Sequence, residues 1–166
     1  DSHLALLAAT DAAIEAGFDN VKLDTVVMRG VNDDELSDLI DYGRRCRLEV
    51  RFIEYMDVGG ATQWSNEAVV SRHEMLSTLS EQYGPITPVK ELNSAPADRF
   101  TLLDGTIFGI ISSTTQPFCR SCDRSRLTAD GIWYLCLYAH SGTDLRKSLR
   151  EGASIGDLQD QIKSVW

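Results

Sequence analysis

The chain has 166 residues, 43% of them apolar and 25% charged, with a formal net charge of −9, the balance of one globular domain or one and a half. That acidity lacks the basic footprint of a nucleic-acid surface; no apolar run reaches bilayer length and no signal peptide opens the chain, so a cytoplasmic protein with no nucleic-acid and no membrane partner is expected. Four cysteines in such a chain read as thiols and ligands rather than as disulfides.

Apolar residues at helical spacing predict a helix over 4–16, stopped by Gly17. A β-rich run over 21–28 follows, then a turn at Arg29 and Gly30. Asn32 or Asp33 is placed to cap a helix running through Leu36, Leu39 and Ile40 to about Cys46. Residues 49–56 read as the next strand. Helix, strand, helix, strand with short joins predicts an α/β fold, a parallel sheet or part of a barrel. Two parallel strands make a poor sheet, since such strands need neighbours. The chain therefore reads as the back half of something larger, with exposed strand edges that favour self-association.

Residues 57–70, with Gly59 and Gly60, read as a loop. Ser71 and Glu74 form a capping box for a helix ending before Gly84. Beyond Pro88 the pattern changes to hairpins: strands over 99–103 and 106–112 around Asp104-Gly105, and over 126–128 and 132–137 around Asp130-Gly131. Two short helices, 144–151 and 155–165, close the chain, the second capped by Ser154 with Asp157. The predicted division is 1–70 and 71–166.

Cys119, Cys122 and Cys136, spaced C-x2-C-x13-C, carry the sharpest chemical signal. Two thiolates three positions apart reach one metal centre across a turn, and the second hairpin returns a third. Three ligands are one fewer than a closed tetrahedral zinc site takes, so an iron–sulfur cluster or zinc held this way keeps a position open for substrate. A structural zinc in a binding module would need a fourth ligand, for which Cys46, His140 and Asp123 are the candidates. Arg124 and Arg126 lie in the same loop, which points to an anionic visitor.

Lys22 and Arg51 sit inside predicted strands, where an unpaired buried charge is costly. They either lie near strand ends or pair with Asp24 and Glu54, or they join Arg124 and Arg126 around a triphosphate. Met56, at the carboxyl end of its strand, is either a packing methionine or a contact at the end where barrel enzymes bind ligands.

The run F-C-x2-C-x-R-x-R-L-T-x-D-G-x4-C-L at 118–137 resembles the C-terminal cluster loop of the molybdenum-cofactor biosynthesis protein A family, the radical-SAM GTP 3′,8-cyclases. The segments at 21–26, 30–33, 51–56 and 108–112 agree with it. The resemblance implies an incomplete (β/α)6 TIM-like barrel covered by a C-terminal α+β extension. It implies a [4Fe–4S] cluster on Cys119, Cys122 and Cys136 that binds the purine of GTP. It assigns GTP contacts to Lys22, Arg51, Arg124, Ser125 and Arg126, and an S-adenosylmethionine contact to Met56. The family's other cluster uses a C-x3-C-x2-C motif, which this sequence does not contain. The resemblance thus implies the substrate-binding half of the cyclase, inactive alone, with no catalytic residue in this part. A homodimer and the downstream cyclic pyranopterin monophosphate synthase are the implied protein partners. A zinc-binding interaction module, or another radical-SAM enzyme with an auxiliary cluster, are the alternatives.

Overall fold

The computed structural model describes residues 2–58, 63–90, 95–117, 119 and 122–166, and of residues 2 and 3 the backbone alone. Gly59, Gly60 and Phe118, used above, lie outside the described residues. The chain divides into two compact units, Asp1–Asp57 with Gln63–Ser121, and Val58–Thr62 with Cys122–Trp166.

The first unit begins with α1 (Ser2–Glu15), β1 (Lys22–Val27), α2 (Leu36–Cys46) and β2 (Glu49–Glu54). A 3-10 turn at Asn66–Ala68 leads to α3 (Arg72–Tyr83), β3 (Thr87–Pro88), β4 (Asp98–Thr101) and β5 (Ile107–Ile111). The strands form one mixed sheet in the order β1-β2-β5-β4-β3. β1 and β5 flank β2 in parallel, while β4 and β5 are the antiparallel hairpin expected around Asp104-Gly105. This is a mixed α/β architecture. The unit boundary falls after Ser121 because β5, late in the chain, completes the sheet begun by β1 and β2.

Side chains alternate across β2, and the two faces differ in chemistry. Val50, Phe52 and Glu54 are buried, whereas Glu49, Arg51 and Ile53 are half-buried. The buried face joins Val27, Phe108, Ile110 and Phe100 to Leu36 and Ile40 of α2 and to Met75 and Leu79 of α3. The opposite face carries Lys22, Arg51 and Arg99 towards the amino-terminal end of the parallel strands and Val26, Ile53 and Ile111 towards the other.

Helix ends follow local chemistry. Ser71 and Glu74 form the expected capping box on α3. α2 departs from expectation: its N-cap, Glu35, makes no side-chain cap, and neither Asn32 nor Asp33 serves. Asn32 instead accepts from the Met28 N–H at 2.8 Å and donates to the Val26 carbonyl at 3.0 Å, while Asp33 accepts from the Gly30 N–H at 2.7 Å. The loop after β1 thus takes both side chains before the helix can use them.

The second unit holds β6 (Arg126–Leu127), β7 (Ile132–Tyr134), β8 (Thr143–Asp144), α4 (Leu145–Arg150) and α5 (Ile155–Val165). β6 and β7 form the expected hairpin, shorter than predicted, with Arg126 opposite Tyr134. Gly131 has φ +85°, and a Cβ there would lie 2.5 Å from the Arg146 Cβ, so the turn needs glycine twice over. β8, which the sequence did not reveal, pairs with β7. Ser154 and Asp157 cap α5 as expected. Among the described residues no helix is long and apolar enough to cross a membrane.

Candidate nucleotide and cluster site

The face of the first unit's sheet opposite the core gathers cations at the amino-terminal end of its parallel strands. A cavity of about 320 Å³ there is lined by Lys22, Arg47, Glu49 and Arg99, among others. Lys22 opens β1 in register with Glu49, and Arg51 lies two residues further along β2 on the same face. Glu49 links two arginines: its Oε1 accepts from Arg51 Nε and its Oε2 from Arg99 Nη2, both at 2.8 Å. Of the alternatives for Arg51, the pairing with Glu54 is therefore corrected. Residues two apart on a strand share a face, so Glu49 is the natural partner, while Glu54 lies on the buried side. The Arg51 side chain is 18% exposed. Gly109 of β5 gives the stem room, since a Cβ there would lie 3.2 Å from Arg51 Cγ. Lys22 is exposed and makes no ion pair among the described residues.

Beyond the carboxyl end of β2, Met56 is half-buried, two residues past the last strand position. The strand stops at Glu54, earlier than predicted, because the segment after it bonds elsewhere. The Tyr55 carbonyl accepts from Thr114 Oγ1 at 2.9 Å and from Trp64 Nε1 at 3.3 Å. Glu54, which sequence reasoning treated as an ion-pair partner, is 0% exposed. It accepts from the backbone N–H groups of Arg72 (2.8 Å), Thr114 (2.9 Å) and Thr115 (2.7 Å), and from Thr115 Oγ1 (2.5 Å). Its place in step with Val50 and Phe52, on the apolar face of the strand, was the signal that could have exposed it.

In the second unit the hairpin brings two cysteines and two arginines together in sequence at its open end. Cys122 precedes β6 and Cys136 follows β7, so antiparallel pairing makes both arms leave the hairpin at the same end. The backbone N–H and then the guanidinium of Arg124 hold the Cys122 thiol below its ordinary value, assisted by the charges of Arg124 and Arg126. Arg124 Nη2 donates to Cys122 Sγ at 3.6 Å, and Cys136 Sγ accepts from the Tyr138 N–H at 3.4 Å. Arg124 and Arg126 are half-buried and Ser125 is exposed. All three motif cysteines are free and exposed.

Cys119 belongs to the first unit, Cys122 and Cys136 to the second. Among the described residues no three His, Cys, Asp or Glu side chains gather as a metal-binding group. The donor chemistry nonetheless suits an iron–sulfur centre: free thiols, one biased towards thiolate, with N–H groups directed at sulfur. The other zinc candidates are dispersed. Cys46 closes α2 half-buried in the first unit, while His140 and Asp123 are exposed in the second.

These features define an α/β protein with a cationic sheet face and arginine-flanked cysteines at a hairpin mouth. The family model described as Molybdenum Cofactor Synthesis C matches residues 48–166, and the chain belongs to that family. It is 58% identical over 165 residues to a protein of Mycobacterium bovis named GTP 3′,8-cyclase 3, covering 99% of this chain and 44% of that protein. It is 54% identical over 166 residues to GTP 3′,8-cyclase 1 of Mycobacterium tuberculosis, covering 100% of this chain and 46% of the relative. A GTP 3′,8-cyclase of Staphylococcus epidermidis is 40% identical over 164 residues, covering 97% of this chain and 48% of its own length. The chain spans about half the length of the curated relatives it matches.

Proposed function

We propose that this chain is the GTP-binding and cluster-binding part of a radical-SAM GTP 3′,8-cyclase of molybdenum cofactor biosynthesis. In this reading β1 and β2, within 1–70, are strands of an incomplete (β/α)6 barrel, and 71–166 is the covering extension, whose β5 joins the same sheet. Lys22 and Arg51 bind the triphosphate from the cationic sheet face. Arg124, Ser125 and Arg126 hold the same nucleotide from the hairpin. Cys119, Cys122 and Cys136 hold a [4Fe–4S] cluster, and Met56 contacts S-adenosylmethionine.

When bound, a three-cysteine cluster offers a purine an iron that lacks a protein ligand. The chain's own contribution is electrostatic and positional. Planar guanidinium forks match phosphate oxygens in pairs, and the Glu49 carboxylate orients the Arg51 fork by holding its Nε. S-adenosylmethionine cleavage and ring formation belong to the whole protein. A homodimer and cyclic pyranopterin monophosphate synthase, as the next enzyme, complete the proposal.

The observation that carries this reading is Arg124 Nη2 donating to Cys122 Sγ at 3.6 Å, at the end of a hairpin that also leads to Cys136, in a chain whose relatives are named for GTP cyclisation. The test is anaerobic iron and sulfide quantification on the full-length protein, followed by GTP titration of the cluster spectrum. Replacing any of Cys119, Cys122 or Cys136 with Ala should remove the cluster. Losing a charge-assisted hydrogen bond to phosphate costs about 1.5–3 kcal/mol, so Arg124→Ala and Arg126→Ala should each weaken the GTP response roughly ten- to a hundredfold. Stoichiometric zinc without sulfide, or titrations unchanged by both arginine replacements, would overturn it.

A further inference from the structure

Glu54 is a fully buried carboxylate without a cationic partner among the described residues. Its four donors come from two places distant in sequence. Oε1 takes the Arg72 N–H at the start of α3 and the Thr115 hydroxyl; Oε2 takes the N–H groups of Thr114 and Thr115. Burying a carboxylate is tolerable only when its lone pairs are met. Here the first N–H of α3 adds the favourable end of a helix dipole. The arrangement therefore exists only when β2, the start of α3 and the turn at 114–115 are all in place. Two further bonds tighten it. Thr114 Oγ1 donates to the Tyr55 carbonyl at 2.9 Å, next to Met56, and Arg72 Nη1 donates to Gln116 Oε1 at 3.2 Å. Cys119 follows four residues beyond Thr115.

We propose that Glu54 is a positioning residue. Its carboxylate clamps the turn at 114–115, and so sets where the chain presents Cys119 as a cluster ligand. The same clamp holds the Met56 end of β2 through Tyr55, so one buried group steadies both ends of the proposed site. The cluster half of this inference rests on the function proposed above; the clamp itself does not.

The test compares Glu54→Gln with the wild-type full-length protein. Glutamine keeps the shape but turns an amide NH2 towards at least one N–H donor, so one oxygen's bonds are lost. Glu54→Asp, which keeps the charge but shortens the reach, is the second variant should Glu54→Gln fold poorly. Ile40→Val is the control: it trims the same core at α2 and touches none of the clamp. Losing one such hydrogen bond opens the clamp about tenfold more often, so amide exchange should rise about tenfold or more in Glu54→Gln at Arg72 where the NH2 takes the Oε1 place, or at Thr114 and Thr115 where it takes the Oε2 place, with the β1–β2 amides unchanged. Iron retention under chelator challenge should fall several-fold in the same variant and stay at the wild-type rate in Ile40→Val. Unchanged exchange at all three of Arg72, Thr114 and Thr115 would overturn the clamp. Faster exchange with unchanged iron retention, or equal iron loss in Ile40→Val, would overturn the positioning of Cys119. If the wild type takes up no iron, the cluster reading fails, and the exchange rates still decide the clamp.

Discussion

The two units are built by different means. In the first, Phe52, Phe108, Leu36, Ile40, Met75 and Leu79 are fully buried between a five-stranded sheet and two helices. In the second, Trp133 is the one buried side chain among the described residues, and α4 and α5 bury none. Leu127, Leu149 and Ile155 are largely exposed there. A unit this small rarely supplies its own stability from apolar burial and commonly depends on a disulfide or metal. The second unit has no disulfide, but it holds Cys122 and Cys136. Ligand binding by such thiols is coupled to folding of the segment that carries them. The contrast is one of burial: an apolar core orders the first unit, whereas the second has little core of its own, and in the function proposed above Cys122 and Cys136 supply the missing order through what they hold.

The sharpest way to break that contrast is to remove the centre of the first core. Phe108 stacks on Phe100 at 5.5 Å and meets Phe52 edge-on at 6.2 Å. Phe108→Ala should lose about 3–5 kcal/mol, read as an earlier guanidinium transition of the sheet with Cys122 alkylation rates unaltered. A loss under about 1 kcal/mol would mean that the first unit is not held by this core.

A milder change probes the second unit. Trp133 and Trp166 stack with ring centres 5.9 Å apart and planes 11° from parallel. Trp166→Ala should remove about 0.5–1.5 kcal/mol of pairing beyond area burial. In a unit with one buried side chain that loss should appear as faster amide exchange over β6 and β7. Unchanged exchange would show that the ring pair is ornamental and that other contacts order the hairpin.

What the sequence disclosed was local. Ser71 with Glu74 and Ser154 with Asp157 cap helices at fixed offsets, and Asp104-Gly105 and Asp130-Gly131 turn hairpins, because each signal and its partner lie within a few residues. The insertion of β5 beside β2 was not legible, since parallel pairing leaves no mark in nearby residues. Nor were the partners of Glu54, because three of its four donors are backbone N–H groups, which have no residue identity. Of the alternatives for Arg51, pairing with Glu54 fails on strand period, which puts Glu49 on the Arg51 face. Of the site, the residue types and spacing at Cys119, Cys122, Cys136, Arg124 and Arg126 were readable. Their electrostatic bias at Cys122 required coordinates.

The smallest expected effect lies on the surface of the stable unit. Glu74 accepts from the Ser71 hydroxyl at 2.7 Å and the Ser71 N–H at 2.9 Å, and pairs with Arg29 at 2.6 Å. The Ser71 hydroxyl first, then its N–H, then Arg29 lower its carboxyl from 4.5 to about 2. The unfolded state takes up its proton near pH 4.5, whereas the folded state resists until about pH 2. The stabilisation is therefore complete above pH 4.5 and declines as pH falls towards 2, where both states are protonated. Glu74→Gln keeps an acceptor for Ser71 and gives up an exposed ion pair worth at most about 1 kcal/mol. Its urea midpoint at pH 7 should sit close to the wild type, while the fall in midpoint between pH 4.5 and 2 becomes shallower. An acid limb as steep in Glu74→Gln as in the wild type would assign the acid sensitivity of the first unit to other carboxylates, and would leave the α3 cap as a neutral fixture of the scaffold.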